Sequence, residues 1–229
     1  MTKDRLHEEE IESGLEAAPA VALVIALQVL LALQGSANGW ELAGLPWWTW
    51  LVPVVPEAVL VIALAWHLPR RRLEQMGRRR AVALALVAVI SVANGLALVA
   101  LIVSLTSGGE TSGRQLLLKG LAVWVTNVIA FGLWFWELDR GGPVRRSNPD
   151  EQPPPDFQFP QMENPQLAEP GWHPQFVDYL YISFTNAVAF SPTDAMPLRR
   201  RVKALMLTES GVSAITVLLV AARAVSILD

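Results

Sequence analysis

Residues 81–105 read AVALALVAVISVANGLALVALIVSL, 25 residues without one charge. As a helix rising 1.5 Å per residue the stretch is about 37 Å long, more than the roughly 30 Å hydrocarbon thickness of a bilayer. Ser91, Asn94 and Ser104 are its polar residues, too few to give a solvated face. A run this long and this apolar all round belongs in lipid rather than in water.

The rest of the chain repeats the pattern. With Arg80 to Leu105 as the third, five runs are predicted to cross a membrane: Ala17 to Gln34, Trp47 to His67 with Pro53 and Pro56 near its start, Leu116 to Glu137, and Arg200 to Leu228. Glycine-rich breaks separate them, at Gly35–Gly44, Gly108–Gly109 and Gly141–Gly142. Hydrophobic residues make up 52% of the 229, and charged residues 17% against roughly 25% in soluble domains. The deficit is uneven: from Ala17 to His67 the charged residues are Glu41 and Glu57 alone. This excludes an ordinary soluble domain, a disordered chain and a nucleic-acid-binding protein, and makes membrane lipid the first expected partner.

Four segments follow. Residues 1–16 are polar and acidic, unlike the basic start of a signal peptide, so the first span is expected to be uncleaved. Residues 17–138 hold four spans. Residues 139–175 form a linker with nine of the sixteen prolines, which bars a regular helix or a central strand. The linker is either a flexible spacer or, given Phe157, Phe159, Met162, Leu167 and Trp172 in its later half, a segment packed along the surface. Residues 176–229 hold a short apolar run, FVDYLYISFTNAVAF at 176–190, and the last span. Fifteen residues make about 22 Å of helix, too short to cross, and Pro192 bars smooth continuation. This run fits a half-helix that enters the membrane and turns back, or an interfacial helix. The expected fold is all-α: a polytopic membrane protein with five transmembrane helices plus a re-entrant half-helix and loop before the last one.

Lysine and arginine collect on the cytoplasmic side of membrane proteins. With five spans, the N-terminal segment, the 68–80 loop and the 139–199 region share a side. Together with the adjoining helix ends that side carries 15 of the 18 basic residues, against Arg114 alone on the other, with Lys119 and Arg223 inside spans. The N-terminus and the linker are therefore expected in the cytoplasm and the C-terminus outside. Trp40, Trp47, Trp48 and Trp50 would form an outer interfacial belt, and Trp66, Trp134 and Trp136 an inner one.

The chain has no cysteine, which removes disulfides, thiol catalysis and thiolate metal sites. His7, His67 and His173 stand far apart, so no metal or haem cofactor is expected. No nucleophile and base occur at a suggestive spacing, so an enzyme is not expected.

Residues 183–198, SFTNAVAFSPTDAMPL, resemble the pore loop of tetrameric potassium channels. Ser183-Phe184-Thr185 falls on the end of that family's pore helix, Ala189 to Asp194 on its Thr-Val-Gly-Tyr-Gly-Asp filter, Pro197 on the following proline, and Arg200 onward on the inner helix. The resemblance covers about half the chain. It implies a homo-oligomer, a tetramer in that family, because one copy of loop plus inner helix lines only a fraction of a pore. Ser191-Pro192-Thr193 replaces Gly-Tyr-Gly, and Pro192 has a fixed φ and no N–H, so potassium selectivity is not expected. The arginine count also puts this loop on the cytoplasmic side, opposite to that family's filter. The stretch from Asp156 through this motif to Ala221-Ala222-Arg223-Ala224-Val225 resembles a family of uncharacterised bacterial integral membrane proteins as well, which implies the bacterial inner membrane.

Polar residues inside spans are the remaining candidates. Glu209, Ser213, Thr216 and Arg223 stay within about 80° of one another at 100° per residue, and Glu209 is about 15 Å into the last helix. A carboxylate at mid-bilayer costs roughly 2.5 kcal/mol or more, so it faces protein or a polar path. Arg223 can snorkel to the interface. Gln28, Asn94 and Asn127 lie mid-span, where interhelical hydrogen bonding is the simplest role. Glu57 follows Pro53 and Pro56 near the outer interface. The sequence thus suggests an ion-conducting or ion-binding protein, with Thr185, Asn186, Ser191, Thr193 and Asp194 at a constriction and Glu209, Ser213 and Thr216 along the path. A non-conducting scaffold or partner subunit is the alternative, in which Asp194 caps the last helix and residues 157–172 dock another protein.

Overall fold

The computed structural model describes residues 3–41, 43–65, 78–106, 113–147, 153–192 and 194–228, with backbone only at 3–15, 147 and 223–228. Trp66, His67 and most of the 68–80 loop lie outside the described residues, as do Thr193 and the side chains of His7 and Arg223.

The chain is mostly helical. The helices are α1 (Lys3–Asn38), α2 (Val54–Ala65), α3 (Arg79–Thr106), α4 (Gly113–Leu138), α5 (Phe176–Ala189) and α6 (Arg200–Leu228), with short helical turns between them. Among the described residues five helical stretches are long and apolar enough to cross a membrane: Glu16–Asn38, Trp47–Ala65, Arg79–Thr106, Gly113–Gly141 and Arg200–Ala222. They match the five expected runs. α1 takes in the acidic segment as well, so residues 3–38 are one continuous helix through Pro19. The second stretch is not a single helix. Trp47–Leu51 forms a 3-10 turn and α2 begins at Val54, because Pro53 and Pro56 lack the N–H groups that a continuous helix needs there.

Two compact units divide the chain: Ala20–Asn127 with Val212–Asp229, and Met1–Pro19 with Val128–Gly211. The first has an aliphatic core in which Leu31, Leu98 and Val123 meet around the buried Trp50. Outside this core, α3 shows a stripe of exposed Val92, Leu96, Val99 and Val103, spaced as one helix face. An apolar stripe of that length suits a lipid environment.

In the second unit the end of α4, the start of α6 and all of α5 enclose an aromatic core. Phe157 stands edge-on to Phe135 at 5.2 Å and to Tyr179 at 6.1 Å, and Phe159 packs on Tyr179 at 5.5 Å and on Trp172 at 5.7 Å. Phe157 and Phe159 are buried, so this half of the proline-rich linker is packed on the protein. Leu167 is exposed and takes no part. A two-stranded antiparallel ladder pins the linker: Phe157 pairs with Pro197 and Gln158 with Met196.

α5 starts where Gln175 N–H donates to the Asp178 carboxylate at 2.7 Å. It ends at Phe190, which takes the left-handed conformation (φ 54°) and donates its N–H to Asn186 O at 2.9 Å. Gly132 lets α4 approach closely, and a Cβ there would stand 3.2 Å from the Leu180 Cα. Phe176 meets Trp136, Leu180 meets Gly132 and Ser183 meets Val128, so α5 runs antiparallel to α4. Trp50 and Trp136 are buried in the two cores, while Trp47 and Trp48 are exposed as an interfacial belt requires.

Candidate functional site

Three of the buried polar groupings among the described residues bear on a site. In the first, Glu209 of α6 is fully buried among residues of α4 and α5. Its Oε2 accepts from Asn186 Nδ2 at 2.7 Å and its Oε1 is hydrogen-bonded to Ser183 Oγ. Asn186 Nδ2 also donates to Met206 O at 3.0 Å, and Ser183 Oγ lies 2.6 Å from Val128 O. Ser183 and Asn186 are three residues apart on α5 and so present one face to Glu209.

The hydroxyl of Ser183 has one proton and two acceptor oxygens in reach. If Glu209 carries a proton, the carboxyl donates to Ser183 and Ser183 donates to Val128 O, and every member of the chain is matched. If the carboxylate is ionised, the hydroxyl serves one oxygen and leaves the other facing a lone pair. The grouping is therefore complete with a proton on the Glu209 carboxyl.

The expected site residues divide. Asn186 and Glu209 are brought together. Ser213 accepts a hydrogen bond from Asn127 Nδ2 at 3.0 Å, and the Thr216 hydroxyl bonds back to Val212 O at 2.8 Å; both are buried. Thr185 bonds back to Tyr181 O at 2.9 Å, as helical threonines do. Ser191 and Asp194 are exposed. Asp194 is not the cap of the last helix, because α6 starts six residues later at Arg200. Ser183 was missed as a site residue, although its i, i+3 spacing to Asn186 was visible.

In the second grouping Asp139 and Asp156 are both fully buried. Asp139 accepts from the Tyr179 hydroxyl at 2.5 Å and from Asp156 N–H at 2.7 Å. Asp156 takes a bidentate contact from Arg201, at 2.8 Å from Nε and 2.6 Å from Nη2. Arg146 lies over the Tyr179 ring at 4.9 Å and donates to Trp136 O and Asp139 O at 3.1 Å. Both carboxylates hold the linker to the helix ends, which is a structural duty. Arg201 thus does more than mark topology, while Arg199 and Arg200 are exposed.

The third grouping lies in the other unit. Gln28 Nε2 donates to Glu57 Oε1 at 3.0 Å. Glu57 is fully buried there. Gln28 and Asn127 serve as the expected interhelical bonders, whereas Asn94 lines a cavity. Among the described residues no three His, Asp or Glu side chains gather as metal ligands.

Comparison with family models, curated proteins and solved structures finds no match to this chain.

Proposed function

We propose that the protein is an ion-binding, ion-conducting integral membrane protein whose central group is the Glu209 carboxyl. One observation carries this reading: a carboxyl fully buried in an apolar span, with Ser183, Asn186 and the Val128 carbonyl arranged so that one added proton completes the hydrogen bonding. A charge so placed is costly in lipid unless it is used. In this reading α5 and residues 190–199 form a re-entrant hairpin. The helix starts beside Asp139 at the end of α4, its later turns meet Met206 and Glu209 of α6, and the chain then returns to pair at Met196–Pro197 with the linker. Ser191 and Asp194, exposed beyond the helix end, would face a symmetry axis in a homo-oligomer, four copies by the potassium-channel resemblance. Thr193, between them in sequence, lies outside the described residues. The bacterial inner membrane, with the N-terminus inside, is the setting that goes with it.

The experiment is ion flux into liposomes holding the purified protein. Proton or cation flux above that of empty vesicles is expected, falling at least tenfold in Glu209→Gln, which removes the exchangeable charge and keeps the size. No flux for protons, cations or anions sinks the reading.

A scaffold or partner subunit is the second reading. It is favoured by the fact that both oxygens of Glu209 bond within the chain. Equal flux in wild type and Glu209→Gln, with normal assembly, selects it.

A further inference from the structure

The unit built from Ala20–Asn127 contains a cavity of about 730 Å³ walled by α1, α2, α3 and α4. That volume lies in the range of small-molecule sites, roughly 300 to 1,000 Å³. Its walls are overwhelmingly apolar, with Leu27, Leu31, Trp50, Ala97 and Val123 among them. Gln28 is the wall residue that carries a chemical demand. It is buried to all but 7% of its surface, and its amide nitrogen is engaged with Glu57 Oε1 at 3.0 Å. A carboxylate oxygen accepts from the NH₂ side of an amide, so this bond turns the carbonyl side of Gln28 away from Glu57. Gln28 Oε1 and Glu57 Oε2 are then buried with no hydrogen-bond partner. On the wall itself the Gln28 carbonyl oxygen wants a donor, and the rest of the wall wants hydrocarbon.

We propose that this cavity binds a long-chain lipid alcohol, with the hydroxyl donating to Gln28 Oε1 and the chain lying along the apolar walls. A head that only accepts, such as an ester, ether or phosphate oxygen, would meet oxygen lone pairs and is disfavoured. Exposed Val92, Val99 and Val103 lie along the same walls, so the entrance is on the apolar outer face of α3, where a molecule dissolved in lipid arrives. This inference uses none of the residues around Glu209.

Trp50 on the wall is a built-in reporter. The full chain in lipid nanodiscs is titrated with 11-bromoundecan-1-ol and, separately, with its methyl ether, which has the same chain and bromine but no donor. Quenching specific to the cavity is the difference between wild type and Trp50→Phe. The alcohol is expected to reach half-quenching at about one-tenth the mole fraction of the ether, the worth of one hydrogen bond to a buried acceptor. Gln28→Leu should bring the two probes to within about twofold, and Ala93→Phe, which fills the space, should abolish Trp50-specific quenching by both. Equal half-points in wild type overturn the donor requirement. Absence of Trp50-specific quenching, whether because a second copy or ordered water fills the space, overturns the site itself. The wild-type comparison stands alone if Gln28→Leu does not fold.

Discussion

Asp156 has no exposed surface, yet its partner Arg201 keeps 54% of its side chain in contact with the surroundings. A buried carboxylate that loses its cation suffers more than the pair contributes, so the two halves of the bridge are unequal. Arg201→Met leaves Asp156 with the N–H of Arg140 at 3.3 Å as its remaining donor from that side. It should lower stability by about 2 kcal/mol, below the roughly 3–5 kcal/mol of a wholly buried pair because Arg201 is half in the open. Asp156→Asn removes the charge that Arg201 answers and should be milder. The double variant should then be less damaged than the sum of the singles, by about 1 kcal/mol. Thermal unfolding in detergent, followed by helicity, measures the cycle; strict additivity would mean that the bidentate contact does not hold the linker in place. The rings stacked on Phe157 predict the same order for loss of near-ultraviolet signal.

Between elements, α4 meets α5 by close backbone approach. Gly132 faces the backbone of Leu180, where a methyl group would sit 3.2 Å from the Cα and 3.6 Å from the N. Helices in lipid lack a hydrophobic drive to associate, so close backbone approach through small residues is what holds them. Gly132→Ala should separate the helices by a few tenths of an ångström and lower the melting temperature. Gly95→Ala is the control. Nothing lies within 4 Å of its added methyl, so it should be neutral or stabilising by up to about 1 kcal/mol through helix propensity. If both variants melt alike, the α4–α5 contact is not limiting. The apolar spans themselves were legible because exclusion of charge over 20 or more residues has one common cause. The short length of α5 was legible for the same reason, since Pro192 and the return to polar residues bound it. The partners of the polar residues were not. Asp156 lies 45 residues from Arg201 and Gln28 lies 29 from Glu57. Helical spacing speaks only within one helix, so no periodicity connects such pairs. The linker's later half was readable either as a spacer or as a segment packed along the surface, and it is packed. Proline counts describe which regular structures are barred, but Phe157 and Phe159 are held by rings and by a two-residue ladder, which prolines tolerate. Glu209 with Ser213 and Thr216 was found as a stripe because all three share a helix. The complement to Glu209, Ser183 with Asn186, needed a second helix to be laid against it.

For the molecule as a whole, the decisive quantity is the distribution of basic residues, and the absence of cysteine makes it simple to test. If all five apolar stretches cross, the chain ends lie on opposite sides, and moving the arginine-rich side outward would carry 15 basic residues across the membrane instead of one, so the charge bias predicts one orientation. Each introduced cysteine is the only thiol in the chain. Ser36, exposed in the last turn of α1, and Gln166, exposed in the linker, stand at the far end of the first apolar stretch and beyond the fourth. Ser36→Cys should react with a membrane-impermeant maleimide in intact bacterial cells. Gln166→Cys should react only after the membrane is opened, since an even number of crossings returns the chain to the side of its N-terminus. Both replaced side chains lie outside the buried polar groupings, so either variant should keep the fold. Labelling of Gln166→Cys in intact cells, with Ser36→Cys protected, would invert the protein. The turn after α5 would then lie on the outer face, where the filter of the potassium-channel family sits, and the arginines at 199–201 would need a role other than orientation. Labelling of both from outside would remove one or three of the three crossings between them, and with them the assignment of all five apolar stretches to the membrane.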